Sequence, residues 1–463
     1  MRPQSLRARA HDPRWEARRV TIADFWALIL MLAGGLMVWS LAGRMAEGPD
    51  RAFLQRVVAA TFGLRAAFSV FLHVLYPRAW STFAADAIAR YSWGRRDAEL
   101  WHLGLWQPRL PQTLSEAHST VVQLKTTALI YLFGPSPMLP EAFVITLNVT
   151  VCVAVYLLCR QIGATRRATS AAVLFSAFMP TLVFWSTQDL KDPVCATCVA
   201  WAMLGMLKVG ERAHGGWLLV MIGADLFALI YRPYVGILLM VGQGLAWVYS
   251  LRLPQTALGH VSRAALFAMI APVAMYVGVQ EMKSTYGEDI GLEWAVESYA
   301  VFRQSGIDAG SIHGSEYEIP LTASTPTQAI IQLPIRVLLL LLTPIPLFPG
   351  TFRKLLTYPE MWFIYLYVIP RFGLGIREAW RKNRGALLTI LLALTPIIVS
   401  YSLKTAVSGE AIRMRSQFMP LLLIFAGVGH AIKERRKAAM AERAARPDTA
   451  VTYVRQRREE AGS

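Results

Sequence analysis

The sequence predicts an all-α, polytopic membrane protein with about 10–12 transmembrane spans and further helices in its extracytoplasmic loops. The 463 residues are 55% hydrophobic and only 17% charged, with a mean hydropathy of +0.39, whereas soluble domains carry about 25% charged residues. Several apolar runs approach the ~20 residues that cross a bilayer core as a helix. This composition excludes a soluble enzyme, a secreted disulfide scaffold and a disordered protein. Because the runs are solid rather than alternating, it also excludes a transmembrane barrel.

The apolar segments follow one another along 21–432 with no soluble domain between them, which predicts a single transmembrane bundle. A basic tail, 1–20, precedes the bundle, and a second basic tail, 433–463, follows it. The predicted apolar segments are 25–43, 53–76, 121–134, 139–161, 169–187, 193–208, 217–231, 233–251, 262–281, 330–348, 358–376, 385–403 and 416–432.

The net charge of +17 is interpreted as a topology signal rather than as nucleic-acid binding, because the Lys and Arg residues concentrate in tails and short loops. Arg160, Arg166 and Arg167 mark a cytoplasmic turn, as do 208–212, 252–263, 377–384 and the tail after Lys433. The opposite, extracytoplasmic side then receives 77–120, 188–192, 231–234, 282–329 and 404–415.

Two parts of this topology need comment. The segment 330–348 is bracketed by prolines. The basic loops all fall on the cytoplasmic side only if this segment does not cross the membrane, so it is predicted to be interfacial or re-entrant. The N-terminal topology stays open, because two crossings by 25–43 and 53–76 would place the Arg-rich tail on the extracytoplasmic side.

Side chains of both charge signs converge on the extracytoplasmic side. A carboxylate there can act as a base or orient an acceptor, while Arg and Lys can hold a leaving phosphate. This combination suits sugar transfer from a lipid-linked phosphate. The residues are Asp86, Asp189, Lys191, Asp192, Arg232, Arg413 and Arg415.

Each of these residues also has a plainer interpretation. Asp189 and Asp192 lie where a helix begins and could serve as caps. Arg232 could extend to lipid headgroups, and it could instead pair with Asp225, seven residues earlier in an apolar segment. Arg413 and Arg415 could anchor the chain at the membrane interface. His118 has no partner at metal-ligand spacing, so a histidine-based metal site is not expected.

Several short motifs, taken in order, resemble the GT-C superfamily of integral membrane glycosyltransferases, especially the branch similar to protein O-mannosyltransferases (family 39). The first loop has an acid followed by a tyrosine, and a histidine-led helix ends in Phe-Gly. A Trp-Ser precedes an acidic helix end, and two arginine motifs follow. In this chain the motifs are Asp86 to Tyr91, His118 to Phe133-Gly134, Trp185-Ser186 to Asp192-Pro193, Arg232-Pro233, and Arg413-Met414-Arg415.

The resemblance implies a glycosyltransferase of the inner (plasma) membrane that takes a sugar from a polyprenyl phosphate and passes it to a hydroxyl of a glycan, lipid or protein. Asp86 would deprotonate or orient that hydroxyl. Asp189 or Asp192 would position the cations or a metal, although no metal is expected unless the donor is a pyrophosphate. The remaining residues of the implied substrate and lipid-phosphate site are Tyr91, His118, Lys191, Arg232, Arg413 and Arg415.

Three other functions stay open at this point. One is a divergent member of the family that does not catalyse transfer. It would explain why the first acid stands alone where many relatives have an Asp-Glu pair. An O-antigen polymerase or ligase would explain the outer-face arginines and the late loop 282–329, although that loop is acidic. A lipid or glycan transporter would explain the proline-broken segments, but no matching halves are evident.

Overall fold

The computed structural model describes residues 20–75, 85–105, 114–211, 215–250, 325–345, 357–405 and 408–445. The predicted segment 262–281, most of the loop 282–329, both distal tails and parts of the loop 77–120 lie outside these residues. Within them the chain is helical, and no β-strand occurs. The predicted all-α class is therefore confirmed for the part of the chain that the structure describes.

We number the α-helices in chain order, and two short π-helical stretches, Phe71–Leu75 and Ile364–Val368, continue the α-helices that precede them. The helices are α1 Ile22–Met45, α2 Pro49–Val70, α3 Ala85–His102, α4 Leu114–Phe133, α5 Met138–Gln161, α6 Arg166–Phe178, α7 Pro180–Ser186, α8 Lys191–Glu211, α9 Gly215–Tyr231, α10 Pro233–Ser250, α11 Pro326–Leu342, α12 Tyr358–Phe363, α13 Ile369–Lys382, α14 Arg384–Lys404, α15 Ser408–Ser416 and α16 Met419–Ala445.

Among the described residues, five helices are long and apolar enough to cross a membrane: α1, α2 with its π-helical extension, α5, α8 and α14. Two bent pairs raise the number to seven if each is one span, namely α6 with α7 at 49° and α15 with α16 at 73°. Apolar stretches of 10–17 residues lie in α4, α9, α10 and α11. These helices indicate a multi-pass membrane protein, with fewer full-length spans in the described residues than the 10–12 expected.

The bundle is built around α5. Of the most apolar window of α5, 83% is buried inside the protein, against 22% for α1, whose outer face carries exposed Phe25, Leu32 and Leu36. A helix that is apolar all round belongs in the interior or in lipid. We therefore place α5 at the centre and the outer face of α1 against the acyl chains.

Helices α13 and α16 cross at close range through a pair of glycines. A Cβ atom at Gly375 would overlap the carbonyl oxygen of Phe425, and one at Gly429 would overlap that of Arg371. Small residues let helix backbones approach in this way where no hydrophobic effect drives association. Helices α13 and α16 are thus packed backbone against backbone.

One end of the bundle carries the turns that the sequence assigns to the cytoplasm, and we call it the basic end. Asp50 at the start of α2 accepts from Arg166 Nε at 2.7 Å, and Asn383 Nδ2 donates to the carbonyl of Gln161 at 3.0 Å. The α1–α2, α5–α6 and α13–α14 turns therefore meet at this end. We call the other end the polar end.

Helix α1 begins at the polar end. Ser136, just before α5, donates to Asp24 Oδ1 at 2.6 Å, and Asp24 completes a capping box with Thr21. Since α1 and α2 form a hairpin that turns at the basic end, the chain enters α1 from the polar end.

Contacts of α11 also lie at the polar end. Arg336, in the middle of α11, donates to the carbonyl of Leu403 at 3.3 Å, near the end of α14. The carbonyl of Thr343, just after α11, accepts from Arg415 at 3.0 Å. Both the middle and the end of α11 therefore contact the polar end of the bundle, and its interfacial or re-entrant placement stays a prediction.

Candidate functional site

A cluster of charged side chains fills the polar end of the bundle, and Asp192 lies at its centre. Asp192 is fully buried in the first turn of α8. Arg413 Nη2 and Arg232 Nη2 each approach its carboxylate at 3.0 Å, and Gln417 Nε2 donates at 2.7 Å. A buried carboxylate needs such partners because leaving it unpaired is costly. Asp192 thereby joins α8, the α9–α10 turn and α15.

Asp86 is the accessible carboxylate of this group. It lies in the first turn of α3, its side chain is 53% exposed, and Arg413 Nη1 pairs with it at 3.0 Å. Partial burial favours the neutral acid, but the charges of Arg413 and Arg90 outweigh it, so the pKa of Asp86 lies below its ordinary value. Asp86 is therefore ionised at neutral pH, with open space on one side.

Asp189 anchors a second part of the cluster in the turn before α8. Its buried carboxylate forms an ion pair with Lys125 and accepts from Thr126 Oγ1 at 2.9 Å, both on α4. Arg90 on α3 donates to the backbone carbonyl of Asp189. Burial raises the pKa of Asp189, but the charges of Lys125 and Arg90 act more strongly together and lower it. This turn therefore holds α3 and α4 against α8.

Lys191 has no hydrogen-bond or ion-pair partner among the described residues. It is half-buried at the start of α8, and the charges of Arg90, Arg232 and Asp86 all act on it. A lysine in such surroundings keeps its three N–H donors available for a ligand. Lys191 is thus the cation of this cluster that is ready to bind an anion.

The polar cluster has an excess of positive charge. Five cations less three carboxylates, Asp86, Asp189 and Asp192, leave +2. Trp185 lies 5.8 Å from the guanidinium of Arg413, and the Tyr234 hydroxyl accepts from Arg232 at 2.8 Å. The group can hold an anion next to an exposed carboxylate. Its cations are Arg90, Lys125, Lys191, Arg232 and Arg413.

The structure thus brings together six of the predicted residues: Asp86, Asp189, Lys191, Asp192, Arg232 and Arg413. It places others elsewhere. Arg415, also fully buried, donates to the carbonyls of Leu341 and Thr343 and lies 3.5 Å from Glu360 Oε1, away from Asp192.

The tyrosine of the first loop lies next to the cluster, in an apolar group that includes Leu190, the residue between Asp189 and Lys191. Tyr91 is buried in a small apolar group with Leu72 and Ile130. His118 lies on α4, but its side chain is outside the described residues. Asp225 accepts from Gln243 Nε2 at 2.9 Å, so the pairing with Arg232 considered from the sequence is replaced by an amide contact.

Three members of the cluster are not among the sequence-predicted site residues. Arg90 follows Asp86 by four positions, a spacing that puts both on one face of a helix. Lys125 is an ionisable residue inside the apolar segment 121–134, which by itself indicates a buried role. Gln417 lies two residues after Arg415 and carries no distinguishing pattern. No group of three or more potential metal ligands occurs in the part of the chain that the structure describes.

No family model, curated protein or solved structure matches this chain.

Proposed function

We propose that this protein is an integral membrane glycosyltransferase that moves a sugar from a polyprenyl-phosphate donor to an acceptor hydroxyl at the extracytoplasmic face. The proposal is carried by one observation: the exposed carboxylate of Asp86 is paired at 3.0 Å with Arg413, which also pairs with buried Asp192. An available base thus lies beside fixed cations. That is the pairing of groups that glycosyl transfer from a phosphate requires.

In this reaction Asp86 accepts the proton of the acceptor hydroxyl as its oxygen attacks the anomeric carbon. The bond from that carbon to the phosphate oxygen breaks, and the configuration inverts. A phosphate leaves as an anion without needing a proton, so a carboxylate of low pKa is sufficient as the base. Lys191, Arg232 and Arg413 offset the charge that develops on the leaving phosphate.

Asp192 and Asp189 act through these cations. Asp192 fixes the orientation of Arg232 and Arg413, and its burial keeps that orientation independent of solvent. Asp189 holds Lys125 and the backbone contact of Arg90. Their role is to preorganise positive charge, which saves reorganisation when the phosphate departs.

The test replaces the proposed base. Full-length Asp86→Asn is reconstituted with undecaprenyl phosphate carrying tritiated mannose, glucose or galactose, together with a cell-envelope acceptor fraction, and release of undecaprenyl phosphate is measured. We expect the rate to fall about 10²–10⁴-fold. The matched control is Glu99→Gln, which removes an exposed carboxylate from the same helix that is paired with exposed Arg95. It should retain the wild-type rate.

Three outcomes would contradict the proposal. Full activity of Asp86→Asn would remove Asp86 from the chemistry. Release from glycan-pyrophosphate lipids but from none of the monophosphate donors would favour a polymerase or ligase. Movement of the lipid-linked sugar across the bilayer with no covalent product would favour a transporter.

A further inference from the structure

We infer that a cleft at the basic end binds the headgroup of an anionic phospholipid. The cleft lies between the α5–α6 turn, the end of α13 and the middle of α16; it is shallow and open to solvent, with an internal volume of about 20 Å³. It is at the opposite end from the polar cluster. Its ligand is therefore independent of the proposed transferase activity.

The floor of the cleft is apolar and its rim is charged. Buried Ile162, Ala379 and Val428 form part of the floor. Lys382 and Arg435 lie on the rim, with Glu378 beside them. An amphiphile could place its anionic head at the charged rim and its apolar carbons on the apolar floor. A small soluble anion would use only the rim.

Two cations and one carboxylate give the rim a charge of +1. The Nζ atom of exposed Lys382 lies 3.3 Å from Oε1 of half-buried Glu378, four residues earlier on α13. Such pairs are weak, so Lys382 can turn to a stronger ligand. Arg435 is exposed and has no ion-pair partner among the described residues. Its guanidinium can form a two-pronged contact with a phosphate.

A separate feature puts the cleft at the level of lipid headgroups. Trp380, two residues before Lys382, is 44% exposed, and the guanidinium of Arg384 lies 4.2 Å from its ring. Exposed tryptophans with neighbouring cations are typical of the membrane–water interface. Basic pockets between transmembrane helices at that level bind anionic lipid headgroups. This feature favours a lipid over a soluble phosphate.

The test measures lipid bound to the purified full-length chain by native mass spectrometry, with phosphatidylglycerol or phosphatidylcholine added. We expect one phosphatidylglycerol to be retained per chain and phosphatidylcholine to be lost. Arg435→Gln and Lys382→Gln should each weaken phosphatidylglycerol binding about fivefold. Arg435→Lys keeps the charge but loses the two-pronged contact, so it should weaken binding less than Arg435→Gln does.

The matched control is Arg436→Gln, which removes an exposed cation adjacent in sequence that does not line the cleft. Equal weakening by Arg436→Gln would mean diffuse attraction to the surface and would overturn the proposal. Displacement of the lipid by an equal concentration of glycerol 1-phosphate would also overturn it, because the ligand would then be a soluble phosphate. All three glutamine variants change exposed side chains, so each should unfold at the wild-type temperature in neutral lipid.

Discussion

Lys191 and Asp192 are adjacent, yet their surroundings give them opposite roles. Asp192 has its carboxylate saturated by two arginines and a glutamine, whereas Lys191 has no partner among the described residues. A residue whose contacts are complete contributes to folding. A residue without such contacts contributes to ligand binding instead.

The first prediction follows from this contrast. Lys191→Gln should change the free energy of unfolding by no more than about 0.5 kcal/mol, because no native contact is lost. It should raise the KM for the lipid-linked donor about tenfold or more, since a charge-assisted hydrogen bond is worth about 1.5–3 kcal/mol.

Asp192→Ala should instead destabilise the protein by about 3–5 kcal/mol, because two arginines lose their buried partner. Thermal unfolding and donor kinetics measured on both variants would separate the two effects, and an unchanged KM for Lys191→Gln would refute its role.

The second prediction concerns the acid stability of the turn that contains Asp189. Its pKa is lower in the folded protein than in the unfolded chain, so its ion pair with Lys125 stabilises the fold fully above the unfolded value of about 3.9. That contribution disappears as the pH falls through the lower, folded value. We expect the unfolding temperature in detergent to lose this contribution below about pH 4. Asp189→Asn should be less stable at pH 7 and should show a smaller loss on acidification; an identical pH profile would contradict the assignment.

At the level of helices, α15 explains why Arg413 and Arg415 differ. The sequence presents them as a pair in a loop, but residues two apart on a helix face different directions. Arg413 consequently contacts Asp86 and Asp192, while Arg415 contacts Glu360 and the carbonyls after α11. Assigning different contacts to Arg413 and Arg415 required knowing that 408–416 is helical. That short polar stretch has no apolar periodicity that would indicate a helix.

The third prediction tests Arg415 as a clamp between α15, α12 and the end of α11. Arg415→Met should lower stability by about 3–5 kcal/mol, because Glu360 is left as an unpaired buried charge. The double variant Arg415→Met with Glu360→Gln should recover part of that loss, because the amide carries no buried charge and its oxygen can still accept from Thr181. Recovery of donor turnover in the double variant would show that Arg415 does not hold the phosphate. Failure to recover stability would argue against the pairing.

Sequence patterns locate the long apolar helices and group their basic connecting turns at one end of the bundle. Solid runs such as 139–161 can only be buried or lipid-embedded helices, and clustered arginines such as Arg160 and Arg166 mark one end of the bundle. The patterns could not identify Lys125 and Arg90 as partners of Asp189, because that contact joins α3, α4 and the turn before α8 across many residues of chain.

For the whole molecule, the fourth prediction assigns the two ends to the two sides of the membrane. The four native cysteines are all buried, so a single introduced cysteine can report its own position. In intact cells a membrane-impermeant maleimide should label Glu99→Cys, on α3 at the polar end, and should leave Arg381→Cys at the basic end unlabelled until the membrane is opened. Both positions are exposed. The reverse pattern would put the polar cluster in the cytoplasm and would refute the proposed reaction at the outer face.

The glycine crossing of α13 with α16 has an evolutionary consequence. Even a methyl group at Gly375 or Gly429 would force the two backbones apart. We therefore expect substitutions to be tolerated at the lipid-facing leucines and isoleucines but not at these two glycines. In a saturation library selected for growth, both positions should remain glycine even in clones in which the rest of the outer surface has been substituted.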